Sequence, residues 1–434
     1  MVKTILSSLL LMLTTVMASA QIVGNNITVT VQPDHRDWNY RVGERARFTV
    51  NVLKSGTPLP NAVIDYEAGP VTYPDVTKKG VTLKDGTLNL AGKLSKPGFY
   101  RLKVTAHVNN KDYAGLCTVS FDPEQIRTST QCPADFDTFW QHALSDARQY
   151  DLDPKLIPLP ERSTKDVNVY EVSFVNDRPN GRIFGILCVP VKEGKYPALL
   201  RVPGAGVRPY SGDVWTASQG AITLEIGIHG MPVTLPQHVY EEIFRGGLDN
   251  YWDSNIDNPD KNYYKRVVVG AVRAVDYIAS LPQWNGTSLG VTGSSQGGFL
   301  SLAVAALDKR VTFMGTVHDA LCDLESEVHG VAGGWPHYFY KVSNPSEARI
   351  KGARYYDGVN FARRVACNCW FSFGYKDEVV PPTSSYGTYN VVKAPKHLSV
   401  YPLTGHYWYQ EQWDEWENWL LQQMGLRNST VTGK

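Results

Sequence analysis

Three residues in the second half of the chain are of the types, and in the order, that acyl transfer requires: Ser295, Asp377 and His406. A serine hydroxyl is a weak nucleophile at neutral pH, so it needs a base to take its proton and a carboxylate to orient that base. Ser295 lies in Gly293-Ser-Ser-Gln-Gly297, a G-x-S-x-G pattern whose small residues let a strand turn sharply into a helix and present the hydroxyl. Asp377 follows the strand-like run Trp370–Phe373, and His406 follows Leu398–Tyr401. Both are therefore expected at carboxyl ends of strands, where open sheets hold their sites. The tetrahedral intermediate would need two backbone donors. Gln296, directly after the serine, is one; the other is expected from Pro203-Gly-Ala-Gly-Val207, with Ala205 as donor and Gly206 beside it.

Each choice has a rival in the same chain. Gly286, Ser288 and Gly290 also spell G-x-S-x-G, but Leu-Pro-Gln-Trp-Asn before Ser288 is no strand and Leu-Gly-Val-Thr after it is no helix. Glu378 is the fallback acid, one residue farther from its strand. His397 precedes its strand and is expected at the wrong edge. His318 and His329 lie near Asp319, Asp323, Glu325 and Glu327, yet without H-E-x-x-H or a comparable ligand spacing, so core or solvated roles are expected and no metal site.

The elements that must position these residues begin at about residue 126. Phe136, Phe139, Trp140, Ala143, Leu144 and Ala147 recur at three and four residues, which predicts an amphipathic helix after Pro133. Strand-like and helix-like segments then alternate. The strands are expected at 168–174, 182–189, 198–202, 221–226, 288–292, 312–317, 370–373 and 398–401. The clearest helices are Tyr263–Ser280 and Gln410–Met424. Such alternation predicts a doubly wound, mostly parallel α/β sheet with helices on both faces. With its Ser, Asp, His order, it is the α/β-hydrolase pattern.

Residues 21–125 read differently. Runs such as Ile27–Val31, Phe48–Val52 and Tyr100–Val108 alternate apolar and polar, with turns at Lys-Ser-Gly, Lys-Asp-Gly and Lys-Pro-Gly. About seven such strands predict an all-β, immunoglobulin-like sandwich, closed by a polar linker over 122–131. The first 20 residues have a Lys3 n-region, an apolar run and Ala18-Ser-Ala20, the pattern of a signal peptide cleaved near Ala20, so the chain is expected to be exported to the periplasm or beyond.

With 434 residues, 43 Lys and Arg against 42 Asp and Glu, and 43% hydrophobic content, the chain has core material for two domains and no broad charge field. Neither nucleic acid nor a mature membrane insertion is expected. Of six cysteines, Cys188, Cys367 and Cys369 are expected as buried apolar fillers, with Cys117, Cys132 and Cys322 left open.

The segment from Cys132 to Met424 resembles the acetyl xylan esterase and cephalosporin C deacetylase group of the α/β-hydrolases, carbohydrate esterase family seven. The likeness rests on Phe136-Asp-Thr-Phe-Trp140, Ala271-Val-Arg-Ala-Val-Asp-Tyr-Ile278, Gly293-Ser-Ser-Gln-Gly-Gly298, Ala320-Leu-Cys-Asp323 and the Asp377 and His406 segments. It implies a Ser295, Asp377, His406 triad, an oxyanion hole at Gln296 and Ala205, no cofactor, and O-acetylated sugars as substrates. Two positions depart from the family pattern. His229-Gly230 stands where Arg-Gly-Gln is usual, and Tyr407 replaces a glutamate after the histidine, which leaves the oligomeric state open. Trp252, Trp335 and His229 are the candidate substrate contacts. The rival readings are a serine peptidase of the prolyl-oligopeptidase type, for which the sandwich is too small to be the usual propeller, and a glycan-binding protein on a hydrolase scaffold, which would be expected to lose a triad member.

Overall fold

The computed structural model describes residues 26–427; the expected signal peptide lies outside them. The chain divides into two compact units, the second holding Val71–Tyr73, Pro97–Phe99 and the chain from Asp122 onward.

In the first unit one sheet contains Ile27–Pro33, Ala46–Lys54, Thr57–Pro58 and Thr87–Gly92, and the other contains Asn39–Tyr40, Lys111–Phe121, Gly98–Val108, Ala62–Pro70 and Val76–Leu83. Strand Ala46–Lys54 buries Ala46, Phe48, Val50 and Val52, every second residue, and Gly98–Val108 does the same with Leu102, Val104 and Ala106. These faces meet in one apolar core. Two of the strands have only two residues, too short to show an alternating pattern.

The second unit is built on a nine-stranded sheet. Numbered within this unit, its strands are β1 (Lys155–Pro158), β2 (Val167–Val175), β3 (Arg182–Pro190), β4 (Tyr196–Arg201), β5 (Ile222–Gly227), β6 (Trp284–Ser294), β7 (Phe313–Val317), β8 (Asn368–Gly374) and β9 (Lys396–Tyr401). Their order is β1-β2-β3-β5-β4-β6-β7-β8-β9. From β5 to β9 every pairing is parallel, while β1, β2 and β3 add antiparallel pairs at one edge. The chain steps from β4 to β5 on one side and to β6 on the other. That reversal opens a crevice at the carboxyl ends of β4 and β6.

Three details differ from the sequence reading. Strand β1 was not foreseen; all four of its residues are exposed, so it carries no apolar signal. Strand β6 begins at Trp284, so Ser288 is inside a strand, at a register shift where β4 and β6 resume pairing at Ala198 and Leu289. His397 is likewise a strand residue. The linker is also not a loose tether. The amides of Ser129 and Thr130 donate to Asp323 Oδ1, and Thr130 Oγ1 donates to Asp357, both carboxylates being buried. All six cysteines are free, and Cys117, Cys188, Cys322 and Cys369 are buried.

Helix Tyr263–Ser280 is packed through Val267, Val268, Ala271, Val272 and Val275 into the main core, and helix Phe136–Arg148 adds Phe136, Trp140 and Leu144. One ionic cluster joins three elements at their ends. Asp276 accepts from Arg148 at 3.0 and 3.1 Å and from Arg273 at 3.1 Å, and Arg310 bonds both Asp276 and Asp308. Burial raises the Asp276 carboxyl, but the bonds from Arg148 and Arg310 outweigh it and hold it below the usual range. Replacing Asp276 by Asn would leave Arg148 and Arg310 with Asp308 alone and take the carboxylate from Arg273. The expected cost is roughly 3 kcal/mol, read as a lower urea midpoint for the unfolding of the second unit.

Candidate active site

Ser295 is the one residue between β6 and helix Gln296–Leu307, and its backbone takes φ 60°, ψ −122°, a conformation L-residues rarely adopt. Surrounding hydrogen bonds hold it there. Its N–H donates to Val317 O at 2.8 Å, and its carbonyl accepts from Gly298 and Ala320 at 2.8 and 3.1 Å. The neighbouring glycines are needed for close approach. A β-carbon on Gly293 would lie 2.6 Å from Val202 O, one on Gly297 would lie 2.4 Å from the same atom, and one on Gly298 would meet Thr316 Oγ1 at 2.4 Å.

The loop after β4 passes over the serine. A β-carbon on Gly204 would stand 3.3 Å from Ser294 O and 4.0 Å from Ser295 Cβ. The Arg208 guanidinium donates to the carbonyls of Gly204 and Ala205, tying the loop from outside. From inside, a chain of side chains links it to the start of the helix. Gln296 is fully buried; its Oε1 accepts from Tyr251 and Tyr264 hydroxyls at 2.6 and 2.8 Å, and its Nε2 donates to Pro203 O at 3.3 Å. The Gly206 N–H donates to the Tyr251 oxygen at 3.3 Å.

His229 completes this network. Its Nε2 lies 3.0 Å from Gly206 O, an acceptor, so Nε2 carries the proton and Nδ1 accepts from the Tyr263 hydroxyl at 2.7 Å. Both nitrogens are taken. Burial, reinforced by Arg266 and Arg208 and opposed by the Gly206 carbonyl, lowers its pKa to about 4, so the ring is neutral.

Asp377 is fully buried. Its Oδ1 accepts from the amides of Val379 and Val380, both at 2.8 Å, and its Oδ2 accepts from His406 Nδ1 at 2.8 Å. Glu378, beside it, is exposed. Burial would raise the Asp377 carboxyl, yet contacts with His318 and His406 hold it well below the usual range. His406 keeps a quarter of its side chain exposed. The sequence reading missed His318, placed only as a polar residue of no assigned role. Its Nδ1 lies 3.1 Å from Asp377 Oδ2. The available signal was its position as the first residue after β7, between the strands that carry Ser295 and Asp377. His318, Asp377 and His406 form the one His, Cys, Asp or Glu cluster among the described residues with ligand atoms within 4.8 Å. Ligands on a tetrahedral ion bound at about 2.0–2.1 Å stand roughly 3.3 Å apart. The 2.8 Å gap from His406 to Asp377 suits a proton instead.

Trp252 and Trp335 are half-buried and tilted against each other, ring centroids 5.2 Å apart. Trp252 adjoins Tyr251, the partner of Gln296, and Trp335 O accepts from the Leu321 N–H at 2.7 Å.

Sheet order and strained strand-serine-helix junction together define an α/β-hydrolase. Residues 122–423 match the family described as acetyl xylan esterase (AXE1). Over 381 residues the chain is 37% identical to "Acetyl esterase Axe7A" of Xylanibacter ruminicola, covering 86% of each protein. That is more than the segment from Asp122 onward can supply, so the likeness reaches into the first unit. The chain belongs to the acetyl xylan esterase family and is a carboxylic ester hydrolase. Among solved structures, the acetyl xylan esterase from Paenibacillus sp. R4 is 25% identical with a TM-score of 0.60, covering 69% of this chain and 98% of that one. Acetyl Xylan Esterase 1 from Thermoanaerobacterium sp. JW/SL YS485 shares the fold at 24% identity and a TM-score of 0.58, covering 69% and 97%.

The His229 environment has a consequence for stability. Its folded pKa lies below the unfolded value of 6.5, so between about pH 6.5 and 4 the unfolded chain binds more protons and stability falls as pH falls. His229→Gln keeps a donor for Gly206 O but does not titrate. Urea unfolding midpoints of this variant are expected to decline less steeply over that interval than those of the parent, by up to about 3 kcal/mol.

Proposed function

We propose that the protein is an exported serine esterase that removes acetyl groups from acetylated plant oligosaccharides such as xylooligosaccharides. The observation that carries this is a partly exposed histidine bonded through Nδ1 to a buried, ionised carboxylate, in a fold whose elbow bears a serine. With Nδ1–H committed to Asp377, His406 has Nε2 free to accept a proton. Ser295 Oγ attacks the acetyl carbonyl as its proton passes to His406. Amide N–H groups of Gln296 and Ala205 receive the oxyanion, and the Gln296 side chain bonded to Pro203 keeps helix and loop together. His406 then returns the proton to the sugar oxygen as the ester C–O bond breaks. Water, deprotonated by the same histidine, attacks the acetyl carbonyl, and His406 returns that proton to Ser295 Oγ as the acyl C–O bond breaks and acetate leaves.

The names of the relatives support acetyl esters as substrates. Trp252 and Trp335 are the surfaces proposed to meet the sugar, since aromatic rings stack on the apolar faces of pyranosides while hydroxyls remain hydrated. No residue of this mechanism requires a metal or organic cofactor. The pattern at Met1–Ala20 supports export.

Ser295→Ala is expected to lower kcat for p-nitrophenyl acetate by about 10⁴-fold or more, because triad members act as a unit. Ser288→Ala should leave it within a few-fold. Acetate released from acetylated xylooligosaccharides is the parallel readout; a Ser295→Ala protein that still released acetate at the parental rate would refute the assignment.

A further inference from the structure

The loop after β4 borders a space that the mechanism above does not use. Gly204 and Arg208 from that loop, Ser294 from the end of β6, and Trp408, Trp413 and Trp416 line a cavity of about 480 Å³. Small-molecule sites run from roughly 300 to 1,000 Å³, so the space is large enough for a ligand. It lies beside the nucleophile. A β-carbon on Gly204 would stand 4.0 Å from Ser295 Cβ, and Trp408 is two residues past His406.

The walls of the cavity divide by chemistry. Trp416 is buried, its N–H donating to Thr292 Oγ1 at 3.0 Å and its ring covered by the Arg201 guanidinium at 5.0 Å. Trp408 and Trp413 are only half-buried, with ring centroids 5.1 Å apart and planes at 62°. The Trp413 N–H donates to Glu417 Oε1 at 2.6 Å, which fixes that ring. The charged lining residues cancel: Arg201 and Arg208 are matched by Asp213 and Glu225, and Arg201 bonds Asp213 directly. A ligand of either net charge therefore meets no unmatched partner. Ser211 and Ser294 add hydroxyls. Aromatic faces, balanced charge and hydroxyls suit a neutral ring with an apolar face and a hydroxylated rim, which describes a pyranose.

We propose that, given the oligosaccharide substrate argued above, this cavity is a sugar subsite: it holds one neutral pyranose unit, stacked on Trp408 and Trp413, while a neighbouring unit presents its acetyl group to Ser295. Trp252 and Trp335 do not line it and stand instead beside the Tyr251 and Gln296 network. Two separate aromatic surfaces thus serve the substrate, and a chain of sugars fills both where a single acetylated sugar fills one.

Calorimetric titration with xylotriose, which carries no acetyl group and is not turned over, tests the subsite directly. Trp413→Ala is expected to weaken binding about fivefold or more, and Trp413→Phe, which keeps a ring, to recover most of that loss. In turnover, Trp413→Ala should lower by a similar factor the ratio of kcat/KM for acetylated xylotriose to that for methyl acetate, whose alcohol is too small to reach the indoles. No binding by the parent, unchanged binding in the variant, or an unchanged ratio overturns the proposal. Trigalacturonate bound as tightly as xylotriose overturns it too, since the balanced charges favour a neutral sugar. If Trp413→Ala does not fold, a crystal structure of the parent with xylotriose decides. A pyranose ring against Trp408 and Trp413 is expected, and a cavity without sugar overturns the assignment. Titration needs no turnover, so a parent that binds xylotriose through Trp413 but releases no acetate refutes the esterase reading and leaves the subsite standing.

Discussion

The structure of the catalytic unit depends on how closely one carbonyl, Val202 O, approaches the backbone of the elbow. That oxygen sits where the β-carbon of either Gly293 or Gly297 would have to be. No side chain fits, so β4, β6 and the helix after Ser295 meet backbone to backbone. The strained φ of Ser295 follows from the same approach. Its cost, of order 1–3 kcal/mol, is offset by the hydrogen bonds on both sides of it. Because strain and contact are coupled, the serine cannot relax without β4 moving, and the loop that begins at Pro203 moves with β4.

Much of this was legible in the sequence, and for identifiable reasons. The serine and aspartate follow runs of buried apolar residues and the histidine follows a shorter, half-buried one, so the period and order of those runs locate them without any knowledge of contacts. Helix Tyr263–Ser280 was readable because its stripe is long and regular. Strand β1 was not, because an exposed edge strand has no apolar face to reveal it. The places of His318 and His229 in these networks were not legible for a different reason. A histidine's role depends on which groups its two nitrogens face, and here those groups are a carboxylate about sixty residues later and a carbonyl about twenty residues earlier.

Two buried polar networks lie on opposite sides of the serine and are built on different principles. On the Gln296 side, all members are neutral: tyrosine hydroxyls, an amide, an imidazole and backbone groups. Such a network gives fixed geometry that pH changes little above the titration of His229. On the Asp377 side, a single negative charge is held by two amides and the His406 imidazole, with the buried His318 ring 3.1 Å from the same carboxylate. There, position and charge are one property, since any change in protonation changes the geometry as well. The first arrangement suits groups that must stay still through the reaction, and the second suits a base that in the proposed mechanism gains and loses a proton twice per turnover.

The linker shows where the catalytic unit physically starts. Asp323 and Asp357 lie in a fully packed interior; Asp323 Oδ1 accepts from the Ser129 and Thr130 amides, more than 190 residues upstream, while Asp357 accepts from Thr130 Oγ1 and from the amides of Asp323, Leu324 and Val359. Asn390, from the other end of the unit, donates to Pro123 O and Ile126 O. The segment from Asp122 to Gln131 thus behaves as an internal part of the hydrolase that happens to be written before it. A chain opened after Gln131 would leave the buried Asp323 without the two linker amides and Asp357 without one of its four donors.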